Sequence, residues 1–346
     1  MARLLALTTA TPPHRVKQSE AKAIARELYG RQRPDIDRYL PVFDNAGIDS
    51  RALAMPIDWY LEPHGWRDRN DVYARCAIDL LAKTAAEALE QAGLGADEVD
   101  ALVVVSSTGV STPSLDAVLM DRLPFRRDVL RLPIFGLGCA GGVSGLARAA
   151  MMARAMPGSN VLLLTVELCS LAFRLDDASK AGIVAAALFA DGAAAAIVRH
   201  DEAEDGPGLV AWGEHCWPST LDIMGWRVED DGLGVIFARS IPHLVRERFV
   251  DALDGFLARQ SLGREGLDGY VCHPGGAKVL AALEDELQVA APGLVAERAV
   301  LAAHGNMSAV TVLFVLAQRL ADGIAGRHAL TSLGPGFTAA FMLADF

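Results

Sequence analysis

The sequence predicts an α/β protein built from a duplicated αβαβα unit, and three observations carry that prediction. Strand-like apolar runs such as ALVVVSS and NVLLLTVE alternate with alanine-rich amphipathic helices along the whole chain, the pattern of a sheet covered on both faces. The two halves also echo each other. In the first, ALVVVSS leads to a glycine-flanked helix start at Cys139 and then to ALFADGAAAAIVRH; in the second, GYVCHPGG leads to a similar start at Asn306 and then to TSLGPGFTAAFMLADF. Finally, 346 residues at 52% hydrophobic and 22% charged are enough to bury a large core. The join is expected in the polar segment HDEAEDGPG, which divides the chain into halves 1–200 and 201–346.

In chain order, the first clear element is a helix over 74–95, ended by Gly93 or Gly95 and followed by the acidic turn ADEVD and the buried strand ALVVVSS. Next comes LPIFGLGCAGGVSGLARAA, where an apolar strand meets glycines and then a small-residue helix. Cys139 stands at the turn into that helix. Exposed N–H groups and the helix dipole there favour an anion, so a lowered thiol pKa and a nucleophilic role are expected. His273 ends the apolar strand of YVCHPGG and enters a turn whose glycines let backbone approach a ligand closely. Asn306, in AAHGNMSAV, reads either as a helix cap or as a third partner. Taken together, Cys139, His273 and Asn306 form the candidate catalytic set. In a duplicated unit, corresponding strand ends converge in one cleft.

Other motifs point elsewhere. Gly136, Gly138 and Gly141 satisfy GxGxxG, and the following strand ends in Glu167, the outline of a dinucleotide fingerprint and of an oxidoreductase. That reading leaves HPGG and GNMS unexplained. A net charge of −11 argues against nucleic acid and against an anionic membrane surface. No apolar run is long enough to span a bilayer, and MARLLALTTATPP lacks the apolar stretch of a secretory signal. The five cysteines are scattered without CxxC spacing, against zinc and against a disulfide framework. A cytoplasmic protein with free thiols is expected.

With these residues assembled, the chain resembles the type III polyketide synthases, the chalcone-synthase-like branch of the thiolase superfamily. The carrying motifs are GLGCAGG, ALFADGAAAAIV, HPGG, GNMSAVTVLF and GPGFT, in the family's order and across nearly the whole chain. Ketoacyl synthases of the III type share cysteine, histidine and asparagine, but their histidine motif usually reads HQAN, and they rank second. The resemblance implies a thiolase-like five-layered αβαβα subunit, a homodimer, and an acyltransferase that uses coenzyme A thioesters and malonyl-CoA without metal or redox cofactor. It implies an aromatic gatekeeper at Phe189 and pocket positions at Val235, Trp226, Ala172, Cys169 and Thr108. It also implies substrate-binding positions at Gly334, Pro335 and Gly336 of the GPGFT segment, and a coenzyme A phosphate contact at Arg51. The MGW segment is similar to bacterial members that take fatty acyl starters and make alkylresorcinols or alkylpyrones. A malonyl-primed tetrahydroxynaphthalene or phloroglucinol synthase is the alternative.

Overall fold

A computed structural model describes residues 1–201, 206–290 and 292–346. The expected join at 200–208 therefore lies partly outside the described residues. The strands of the first half are β1 (Ala2–Ala10), β2 (His14–Lys17), β3 (Ser50–Leu53), β4 (Val99–Val105), β5 (Leu130–Ile134), β6 (Asn160–Leu168) and β7 (Asp191–His200). Those of the second are β8 (Gly208–Cys216), β9 (Met224–Glu229), β10 (Gly232–Phe237), β11 (Gly269–Cys272), β12 (Arg327–Gly334) and β13 (Thr338–Asp345).

Nine of these strands form one sheet, ordered β11-β12-β13-β8-β1-β7-β6-β4-β5. The repeat is visible from its centre, where β1 touches β8 at Ala2–Leu209 and Arg3–Gly208. Outward from β1 come β7 and β6, each antiparallel to its neighbour, and then β4, parallel to β6. Outward from β8 come β13, β12 and β11 with the same sequence of orientations. The strand β5 adds a further parallel edge on the first side.

Helices cover both faces. The helix Trp66–Ala92 ends at Gly93, which takes the left-handed φ of 67°, and it lays Ala77, Leu81 and Ala85 on the outer face of the first half-sheet. It begins well before residue 74, because Trp66 to Tyr73 continue its buried stripe through Val72 and Tyr73. The helices Gly141–Ala155 and Thr311–Ala321 pack on each other and on strands of both halves. They form a middle layer whose core includes Leu146, Ala150, Val312 and Leu316. The helices Ile241–Ala258 and Ala277–Leu287 close the far face with Phe249, Phe256 and Leu280. The two halves of the sheet, joined at β1 and β8, thus alternate with helices as helix, half-sheet, helix, half-sheet, helix. Every residue of β6 is buried, which explains its unbroken apolar run. No described helix is long and apolar enough to cross a membrane.

Candidate active site

Cys139 lies in the 3-10 turn Gly138–Ala140 that leads into the helix Gly141–Ala155, as the glycine-flanked motif predicts. His273 directly follows β11, its backbone N–H donating to the Thr331 carbonyl at 2.8 Å. Asn306 sits between two helices, not at the first residue of one. Its N–H donates to the Leu188 carbonyl and its own carbonyl accepts from Ala190 N–H, both at 2.9 Å, which ties it to the backbone of Phe189. All three side chains line one chamber of about 430 Å³, walled by Met224, Phe237, Phe249 and Leu333.

Hydrogen bonds orient the carboxamide. Asn306 Oδ1 accepts from Ser308 N–H at 2.8 Å and stands 4.0 Å from Cys139 Sγ, while Nδ2 donates to the Gly275 carbonyl at 3.1 Å. An amide NH₂ carries two hydrogens, so one remains for the chamber. Its cap-like bond to Ser308 and its place at the nucleophile thus coexist. His273 is 4% exposed, and neither ring nitrogen has a hydrogen-bond partner among the described residues.

The electrostatics correct one expectation. Burial pushes the Cys139 thiol up to about 12, with hydrogen bonding from Ser308 acting against it and Glu167 adding to it. Burial likewise pushes His273 down to about 3. Desolvation thus works against the helix start and disfavours both the thiolate and the imidazolium. Beneath the cysteine lies Glu167, fully buried, accepting from Ser107 N–H at 3.0 Å and from Ser308 Oγ at 3.3 Å. Burial raises its carboxyl to about 7. Ser308 therefore touches both the acid and the asparagine, a link that sequence spacing alone did not signal.

The dinucleotide reading fails on packing. A Cβ on Gly142, beside Gly141 of the GxGxxG run, would stand 2.2 Å from the Ala309 carbonyl oxygen. The helix start is filled by the Asn306 segment, leaving no room for a pyrophosphate, and buried Glu167 cannot reach a ribose.

The pocket positions divide between cavities. Phe189, Val235, Cys169 and Ala172 line a second, largely apolar pocket of about 770 Å³, part of it open to solvent, together with Ile24, Tyr29, Leu53 and Tyr60. Trp226 touches the Phe189 ring at 5.8 Å between centroids. Thr108 departs from its expected role: its Oγ1 accepts from Leu168 N–H at 2.9 Å, and it lines a small separate cleft with Trp66 and Leu233. Gly334, Pro335 and Gly336 do not line the chamber but brace it from behind. A Cβ on Gly334 would stand 2.6 Å from the Leu137 carbonyl oxygen and 2.7 Å from Ala140 N, so only a glycine lets the β12–β13 turn press against the cysteine turn.

Arg51 is a second correction. It is 4% exposed, its Nη1 donates to the Phe189 carbonyl at 2.8 Å, and burial lowers its pKa to about 10 against the pull of Asp191. A guanidinium committed to that carbonyl cannot meet a phosphate at the surface. The basic groups at the mouth are others. A wide groove shares Phe237, Ile241, Gly275 and Val279 with the catalytic chamber and carries Arg38, Lys180, Arg239 and Lys278 on its rim. These four are exposed, and none has a carboxylate partner among the described residues. They are dispersed in sequence, so no motif marks them.

Two family models match: chalcone and stilbene synthases, N-terminal domain, over residues 61–202, and the corresponding C-terminal domain over residues 209–343. The chain belongs to the chalcone and stilbene synthase family. Among its relatives is the 1,3,6,8-tetrahydroxynaphthalene synthase of Streptomyces peucetius subsp. caesius, 39% identical over 98% of this chain and 91% of that protein. The crystal structure of 1,3,6,8-tetrahydroxynaphthalene synthase from Streptomyces coelicolor A3(2), a bacterial type III polyketide synthase, superposes with a TM-score of 0.94 at 30% identity, covering 99% of both chains. That of PKS-I from the brown alga Ectocarpus siliculosus gives 0.90 at 27% identity, covering 99% of this chain and 98% of the other. This chain is thus a type III polyketide synthase, an acyltransferase of a family that works on coenzyme A thioesters and needs no cofactor. Among the described residues of the synthase, no cluster of His, Cys, Asp or Glu could hold a metal ion.

Proposed function

We propose that this synthase condenses a medium- or long-chain fatty acyl-CoA starter with malonyl-CoA to give alkylresorcinols or alkylpyrones. The supporting observation is the apolar pocket that begins at Phe189 and runs between Ile24, Leu53, Tyr60 and Val235. Burial of each methylene contributes about 0.8 kcal/mol, so a long chain gains where a malonyl starter gains little. The coenzyme A phosphates would meet Arg38, Lys180, Arg239 and Lys278 at the mouth.

In this reading Cys139 Sγ attacks the starter thioester carbonyl. Its proton passes to neutral His273 as the carbon–sulfur bond forms, and then to the departing coenzyme A thiolate. Attack and proton transfer are coupled in this reading, because burial disfavours a separated charge on either the thiol or the imidazole. Malonyl-CoA then places its thioester oxygen between His273 and the spare hydrogen of Asn306 Nδ2. As carbon dioxide leaves, these donors hold the enolate oxygen. The enolate carbon attacks the acyl group on Cys139, a carbon–carbon bond forms, and the thiolate is released and reprotonated. Phe189, tied by backbone to Asn306, offers an apolar face to the departing carboxylate.

Halves 1–200 and 201–346 are proposed as the two repeats, the first supplying the nucleophile and the second the histidine and amide. A homodimer is also proposed. Leu130 on the edge strand β5, Phe135 just after it and Met151 on the helix Gly141–Ala155 are 50%, 61% and 44% exposed, apolar surface that a second copy would cover.

A malonyl-primed synthase is the competing reading, favoured by the tetrahydroxynaphthalene synthases among the relatives. Purified protein, malonyl-CoA and starters from acetyl- to hexadecanoyl-CoA, with products read by mass spectrometry, decide between them. Alkylated products with a chain-length optimum are expected. One product independent of the added starter would overturn the fatty acyl reading.

A further inference from the structure

One face of the β9–β10 hairpin lies over three cavities in turn. Its cross-strand pairs are Met224 with Phe237, Trp226 with Val235, and Val228 with Leu233. Met224 and Phe237 line the catalytic chamber, Val235 lines the apolar pocket, and Leu233 lines the cleft beside Thr108. The rings of Trp226 and Phe237 both meet Phe189, at 5.8 and 6.4 Å. This aromatic group stands between the chamber, where an acyl chain is attached, and the pocket that would receive it.

The hairpin belongs to no larger sheet, and two strands alone are marginal in water. Its far end rests beside Trp66 and Arg69, with Leu233 buried there and Arg227 Nη1 3.6 Å from Glu229 Oε1, and Arg174 makes the closest ionic contacts to it. Arg174 Nη1 donates to Glu229 Oε2 at 2.7 Å and to Asp231 Oδ1, and its Nη2 stands 3.5 Å from Asp177 Oδ2. The Arg174 side chain is 11% exposed, whereas Glu229 and Asp231 are 31% and 42% exposed. Arg174 and Asp177 also line the apolar pocket; Glu229 and Asp231 do not.

We propose that Arg174 is a specificity-determining positioning residue: through Glu229 and Asp231 it holds the hairpin turn down, keeps Val235 and the aromatic partition against the apolar pocket, and so sets how tightly a fatty acyl chain is held. Without the Arg174 guanidinium, Asp177, Glu229 and Asp231 lose the partner they share, and Arg69 and Arg227 offset their repulsion only in part; the turn lifts, and water reaches the pocket wall. The inference rests on the fatty acyl reading of the proposed function.

The test uses the full chain in two variants, Arg174→Gln and the double change Glu229→Gln with Asp231→Asn. The double change breaks the same contacts from outside the pocket. Dodecanoyl-CoA binding is measured by calorimetry in a Cys139→Ala background, and malonyl-CoA decarboxylation is measured with Cys139 intact. Each variant is expected to weaken dodecanoyl-CoA binding by about tenfold, the double change outside the pocket is expected to leave decarboxylation within about twofold, and combining all three changes should weaken binding no further. Equal binding in both variants and the parent overturns the latch. So does a loss of decarboxylation by the same factor as binding, which marks a general structural role. Failure of the parent itself to bind dodecanoyl-CoA more tightly than acetyl-CoA overturns the fatty acyl reading, a distinct outcome.

Discussion

At the scale of single residues, the chamber shows how burial sets the protonation of a nucleophile. The Cys139 thiol is raised to about 12 although a helix begins two residues later, and the neighbouring Glu167 carboxyl is raised to about 7. A desolvated thiolate has lost water that one helix end and the hydroxyl of Ser308 do not replace. The free enzyme should therefore react slowly with iodoacetamide at neutral pH, and the rate should still be climbing above pH 9. A plateau reached near pH 6 would show a standing thiolate–imidazolium pair instead. Replacing Glu167 with Gln removes a like charge, so alkylation at pH 8 should become several-fold faster, on the order expected for a half-unit fall in thiol pKa. Unchanged or slower alkylation would show that Glu167 acts on the cysteine by hydrogen bonding rather than by charge.

At the scale of elements, the site is a set of turns pressed together. The β12–β13 turn meets the cysteine turn at Gly334, where a Cβ would overlap the Leu137 carbonyl oxygen. A Gly334→Ala variant should lose most condensing activity, about a hundredfold by analogy with a misplaced oxyanion donor, while unfolding within about 1–3 kcal/mol of the parent. Activity near the parent's would show that the two turns can separate without cost. The turn chemistry was legible in the sequence, because glycines beside Cys139, His273 and Asn306 mark junctions where backbone approaches closely. So was the helix ending at Gly93, from its buried stripe and terminal glycine. Arg51 was misplaced because a charged residue in a short segment reads as surface, and only the tertiary fold reveals the Phe189 carbonyl that takes it inside. The same limit hid the basic rim, the Ser308 link and the Arg174 contacts. Each depends on residues far apart in sequence and of ordinary type, as Ser308 with Glu167 and Arg174 with Glu229, so no local spacing records them. The thiol pKa was misjudged for a related reason: the helix start is local and visible, whereas the depth of burial belongs to the whole fold.

At the scale of the molecule, Glu167, Asp191 and His273 are among the titratable groups inside the fold and must leave their mark on its stability. Burial raises Glu167 from 4.5 and Asp191 from 3.8, each to about 7, although Asp191 accepts hydrogen bonds from Ala54 N–H, Ser170 N–H and Ser170 Oγ. An acid whose folded pKa lies above its unfolded value holds its proton more tightly when folded. Its contribution is therefore full at low pH and fades as pH rises through about 7. His273 acts in the opposite sense: its folded pKa, lowered from 6.5 to about 3, makes folding less favourable as pH falls below 6.5. Between pH 8 and 5.5 each carboxyl should add about 2 kcal/mol and the histidine should remove about 1.5, a net gain of roughly 2–3 kcal/mol on acidification. Urea midpoints at the two pH values measure it. The Glu167→Gln variant should be more stable than the parent at pH 8 and show less than about 1 kcal/mol of difference between the two conditions. The buried acids and the buried imidazole share one core, so removing one acid nearly balances the remaining pair. A parent protein that gains stability as pH rises from 5.5 to 8 would mean that these carboxyls are held as anions, and that donors in the core outweigh desolvation at the very place where the nucleophile's neutrality depends on it.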